Sequence, residues 1–123
     1  MRGALVALLV LLAGCAQPPA PGLMELLDRA GERALYEGLR AYDEAQYPQA
    51  EAALRRALAA GLPHGRDRAT AHKLLAFIQC TSDRAAACEA DFRAARQADP
   101  AFALTRAEAG HPQWGPVYRR AVP

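Results

Sequence analysis

Two stretches of this chain repeat one another at a nearly fixed distance. Ala50, Leu54, Ala57 and Pro63 recur as Cys88, Phe92, Ala95 and Pro100, at offsets of 38, 38, 38 and 37 residues. Self-similarity on this scale marks a supersecondary unit that stacks on its own copy, because one unit alone leaves an apolar face uncovered. From Glu25 to Ala98 the sequence is rich in Ala, Leu, Arg and Glu, all strong helix formers, with prolines only at Pro48 and Pro63. Tyr47, Ala50, Leu54, Ala57 and Leu58 recur at three- and four-residue steps, and Cys88, Phe92 and Ala95 follow the same track. Four helices are expected, over residues 24–45, 48–60, 66–80 and 84–98, paired as two hairpins in an all-α domain. Pro48 suits a first helical turn, where its missing N–H would have no partner anyway, and Gly61-Leu62-Pro63 ends the helix that it opens.

Two units are one short of the usual minimum of three, so the last apolar face needs a cover. The tail from about residue 101 to 123 is the candidate. Thr105-Arg-Ala-Glu108 has capping-box spacing, and the run from Gly110 to Tyr118 is too rich in Gly and Pro for a long helix. Trp114, Val117 and Tyr118 would pack over the second hairpin. In the alternative reading, Trp114 and Tyr118 are a docking hot spot for a partner, since such side chains are enriched there.

The repeated residues resemble the tetratricopeptide repeat. In each unit a small residue on the first helix (Gly38, Ala76) is followed on the second by a small residue, a large apolar one and Ala, with Pro closing the unit. The usual period is 34, and the polar stretch from Pro63 to Arg68 can absorb four extra residues. The aromatic expected early in the first helix is missing or displaced in both copies. In a repeat hairpin the first helix lines the concave side, so Leu39, Tyr42, Asp43, Lys73 and Phe77 are candidates for a partner-binding groove; Leu39 and Phe77 read equally well as core.

The chain opens differently. Ala4 to Ala13 is an unbroken apolar run behind the single charge of Arg2. Ten residues make a helix of about 15 Å, half of the ~30 Å hydrocarbon core, so the run reads as the apolar region of a signal peptide and not as a span. Leu12-Ala13-Gly14-Cys15 then resembles the bacterial lipobox, which implies lipidation of Cys15 (palmitate among its acyl chains) and cleavage before it. Residues 1–14 are thus expected to be removed, residues 15–22 to form a lipid-tipped, Pro-rich spacer, and residues 23–123 to fold. Ala16, where an acidic residue would often signal inner-membrane retention, points to an outer-membrane anchor with the domain facing the periplasm.

The chain is 52% hydrophobic, but part of that is the export signal. Its net charge of +2, from 15 basic and 13 acidic residues, carries no footprint of a nucleic-acid binder. Removing Cys15 from three cysteines leaves Cys80 and Cys88, an even pair in an oxidising compartment, so a structural disulfide across a helix–helix turn leads over two free thiols. The bond requires a Cα separation under about 7 Å. His64, His72, Cys80 and Cys88 fall at intervals of eight and are zinc-ligand types. On one helix, however, His72 and Cys80 would lie about 12 Å apart, too far to share an ion. The pair also lacks the Cys-x-x-Cys spacing of a reactive thiol. No nucleophile–base motif surrounds His64, His72 or His111. His64, in a Pro-His-Gly turn, reads as exposed, and His111, before Pro112, as a cap on a backbone turn. No enzyme, cofactor, metal or small-molecule substrate is expected.

The run from His72 to Cys80, then Cys88-Glu-Ala-Asp-Phe-Arg93, Asp99-Pro-Ala-Phe102 and the block from Ala107 to Tyr118 look like a small family of tetratricopeptide lipoproteins that accompany type VI secretion gene clusters. The likeness covers roughly residues 32–120, and the C-terminal block is its specific part. It implies an accessory role at the secretion apparatus with protein partners drawn from that machine. A general envelope-assembly adaptor, serving outer-membrane or peptidoglycan biogenesis, shares the fold and anchor and is the alternative.

Overall fold

A computed structural model describes residues 29–123 continuously, together with Gly14, Pro19, Ala20, Gly22, Leu23 and Glu25. The apolar run Ala4–Ala13, the lipidation candidate Cys15 and most of the spacer lie outside the described residues.

Six helices are described in full, Leu23 and Glu25 before them are also helical, and no strand occurs among the described residues, so the fold is all-α: α1 (Ala30–Asp43), α2 (Tyr47–Ala60), α3 (Gly65–Cys80), α4 (Ala85–Ala98), α5 (Arg106–Ala109) and α6 (Gly115–Ala121). Helix α1 packs along α2 and α3 along α4, giving two antiparallel hairpins; α3 also touches α1 and α2, and α6 lies on α4. None of these helices is long and apolar enough to cross a membrane.

The 38-residue offset is present in the backbone as well as in the residue types. Ala50, Leu54 and Ala57 are fully buried, and so are Cys88, Phe92 and Ala95. Both interhelical turns enter the left-handed region, at Ala45 and Asp83, each with φ 60°. In both, the next amide closes the turn on a helix carbonyl at the shifted position: Gln46 donates to Ala41 at 2.8 Å and Arg84 to Gln79 at 2.9 Å. The helices approach where side chains are smallest. A Cβ on Gly38 would fall 2.8 Å from the Leu54 side chain, whereas one on Gly65 would fall 2.2 Å from the Ala98 carbonyl oxygen.

Equivalent positions differ where the environment differs. Leu74, Leu75 and Ile78 of α3 are buried, while Tyr36, Glu37 and Arg40, 38 residues earlier on α1, are exposed. The same face is therefore apolar and packed in α3 but mostly polar and open in α1. At the other end Phe102, Leu104 and Val117 join the core over the second hairpin. Thr105 forms the capping box expected of it, accepting from the Glu108 amide while the Glu108 carboxylate accepts from the Thr105 amide at 2.9 Å.

A side chain with a Cβ pays about 1 kcal/mol to sit at φ > 0, partly offset by the extra unfolded-state freedom that glycine brings. Ala45→Gly is therefore expected to stabilise the domain by roughly 0.5 kcal/mol. Ala52→Gly, in the exposed interior of α2, is expected to destabilise it by about 1 kcal/mol. Thermal melts of the two variants should shift in opposite directions.

Candidate partner-binding face

The five groove candidates do not share one environment. Asp43 is exposed at the end of α1, Leu39 and Tyr42 are half-buried, and Lys73 and Phe77 lie beneath the chain's own C-terminal segment. The Lys73 ammonium pairs with Glu108 Oε1 at 2.9 Å and stands 5.8 Å from the Phe77 ring centroid. Burial works to raise the Glu108 carboxyl, but hydrogen bonds from Lys73 and the Thr105 amide outweigh it and hold the group below its ordinary value. Trp114 stacks on Phe77 with centroids 4.0 Å apart, and its indole N–H donates to the Glu108 carbonyl at 2.7 Å. Tyr118 meets Phe92 edge-on at 5.4 Å, and its hydroxyl accepts from the Leu104 amide at 3.2 Å. These contacts make the Trp114 and Tyr118 side chains part of the cover over the second hairpin.

His111 stacks on the other face of Trp114, centroids 3.4 Å apart, so three rings lie in a column from Phe77 outward. Its Nδ1 accepts from the Gln113 amide at 3.2 Å, the turn-capping role expected of it, which leaves the proton of the neutral ring on Nε2. His64 is exposed at the start of α3.

The face left open adjoins this column. Where the two hairpins meet the C-terminal segment lies a cleft of about 460 Å³, with Tyr42, Tyr47, Pro48, Ile78, His111 and Trp114 in its lining. Tyr42 and Tyr47 meet edge-on at 5.4 Å, and Tyr47 is 45% exposed. Burial, then Tyr47, Glu108 and Asp43, push the Tyr42 hydroxyl above its ordinary value, so it remains a donor at any physiological pH. Tyr42 was legible as a groove residue from its place on the first helix. Tyr47 was legible only as part of the apolar stripe of α2, and nothing in the sequence brings it to His111.

An ion-pair clamp between the hairpins lies in the cleft's lining. Arg84 Nη1 and Nη2 donate to both Glu51 oxygens at 2.7 and 2.8 Å, and Arg55 adds a bond at 2.8 Å. Hydrogen bonding from Arg84, against some burial, takes the Glu51 carboxyl down to about 2. The stability contributed by a depressed carboxyl is complete above its ordinary value near 4.5 and is lost as pH falls towards 2. Both arginines are substantially exposed, so screening reduces the contribution to about 1 kcal/mol. Glu51→Gln is expected to lower the melting temperature at pH 7 and to lose less than the wild type between pH 4.5 and pH 2. Melts across that range check this.

Arg84 belongs to the loop that the two cysteines close. Cys80 and Cys88 are bonded, with Cα atoms 5.3 Å apart, inside the limit for a disulfide. Two polar contacts had no signature in the sequence: the Lys73–Glu108 pair, and the partly buried His72 Nδ1–Asp91 Oδ1 contact of 2.6 Å between α3 and α4. Comparison of the chain with protein-family profiles, with curated proteins and with solved structures gives no match in any of the three.

Proposed function

We propose that the protein is a lipid-anchored periplasmic adaptor: two tetratricopeptide-like hairpins, tethered to the outer membrane through Cys15, that bind protein partners as an accessory lipoprotein of a type VI secretion system. The observation that supports an adaptor most is the open aromatic cleft between two hairpins, the second of which is covered by the chain's own C-terminal segment. The run Leu12-Ala13-Gly14-Cys15 behind ten apolar residues supports the tether. Two acyl signals suffice for stable anchoring, and a lipidated N-terminal cysteine carries at least that many. The link to secretion rests on the C-terminal block from Ala107 to Tyr118.

Two experiments test the two parts. Labelled palmitate should enter the wild type and not Cys15→Ser; equal labelling removes the anchor. A cross-linked pull-down from intact cells should recover a component of the secretion machine. Recovery of outer-membrane or peptidoglycan assembly factors in its place would make the protein a general envelope adaptor.

A further inference from the structure

We propose that the open face of α1 pairs with the same face of a second copy of this chain, antiparallel, about a two-fold axis through Tyr36. The inference stands apart from the adaptor reading, since it uses neither the cleft nor the anchor. Tyr36 is 67% exposed, and the positions 38 residues on from it and from Arg40 are Leu74 and Ile78, which are buried where α3 packs on its neighbours. The second hairpin thus has a covered face where the first has an open one.

The order of charges selects the occupant. Arg29, Glu32, Tyr36, Arg40 and Asp43 follow one another at steps of three, four, four and three, so they share one face of the helix and are spaced symmetrically about Tyr36. All five are exposed. When two copies lie antiparallel with Tyr36 on Tyr36, Arg29 faces Asp43 of the second copy and Glu32 faces its Arg40, and the two-fold axis repeats each pair. A parallel pair would set every charge against its like. Moving the axis to between Tyr36 and Glu37 would set Arg33 against Arg40. Glu32 and Asp43 make no ion pair among the described residues. Arg29 is held by Glu25 at 2.9 Å and Arg40 by Glu44 at 3.2 Å, but these are exposed pairs one helical turn apart, which exchange partners at little cost. The stripe is about 21 Å long at 1.5 Å per residue. One helix face of that length lies at the small end of specific interfaces, so a dissociation constant on the order of tens of micromolar is expected.

Sedimentation equilibrium of the full chain, in a detergent matched to the solvent density, should show a monomer–dimer equilibrium. Glu32→Arg and Arg40→Glu each turn two attractions into repulsions, so each should weaken the dimer about tenfold. The double variant Glu32→Arg/Arg40→Glu restores opposite charges across the axis and should regain most of the wild-type affinity. That recovery separates lost pairing from lost folding. In cells, a photoreactive group at position 36 should give a covalent dimer of the chain itself. The proposal is overturned by a monomer up to millimolar concentration, by a dimer indifferent to both single reversals, or by a double variant as weak as the single ones. It is overturned as well if position 36 captures another protein and never a second copy. None of these results bears on palmitate labelling or the pull-down.

Discussion

Replacing Cys80 and Cys88 together with alanine lowers the stability of the domain by about 2.5 kcal/mol and its melting temperature by roughly 10 to 20 °C. The bond closes a ring of only nine residues, and the chain-entropy relation gives about 2.5 kcal/mol for such a ring. Packing adds little to the loss. Cys88 is fully buried, but the equivalent position of the first hairpin, Ala50, is an equally buried alanine. The ring also contains Arg84, which grips Glu51, so the disulfide and the inter-hairpin clamp should be coupled. Glu51→Gln should therefore cost less in the double-alanine background than in the wild type. Thermal melts with and without reductant provide the check: reductant should lower the wild type towards the variant and leave the variant where it is.

Trp114→Ala should destabilise the domain by about 3 kcal/mol, the low end for loss of a large aromatic because Trp114 is only partly buried. The substitution removes the 4.0 Å stack on Phe77 and the seat of His111, and leaves the Glu108 carbonyl without its 2.7 Å donor. Phe77 is 4% exposed in the protein and would face water. Trp114→Phe, which keeps a smaller ring on Phe77 and loses the N–H bond, should cost about 1 to 2 kcal/mol. Chemical denaturation of the three proteins separates the stack from the hydrogen bond. Loss of hydrogen-exchange protection in α6 on Trp114→Ala would show that the indole fastens the segment that follows it.

Punctuating residues made most of the helical framework readable. Pro48, Gly61 and Pro63 place α2 within a residue or two of its expected span, and Thr81-Ser82-Asp83 separates α3 from α4. The 38-residue offset was legible because burial acts on side chains: Leu54 and Phe92 differ in shape but fill the same place. The left-handed residues Ala45 and Asp83 were not legible, since neither is a glycine and an alanine carries no turn signal. The site was half legible. Helix position alone selected Leu39, Tyr42, Asp43, Lys73 and Phe77, but it carries no information about where the tail returns. Once the Thr105 capping box turns the chain, Glu108 and Trp114 cover Lys73 and Phe77, and the open surface moves to Tyr42, Tyr47 and His111. That shift depends on contacts between residues 35 and 37 apart, Lys73 with Glu108 and Phe77 with Trp114, which no local pattern encodes.

The most direct measurement of the adaptor account is site-specific photo-crosslinking in cells, with the reactive group placed at Tyr47 in the cleft or at Tyr36 on the polar outer face of α1. Adducts with a secretion component from position 47, and few or none from position 36, are expected. Equal adducts from both positions, or adducts from position 36 alone, would contradict the account.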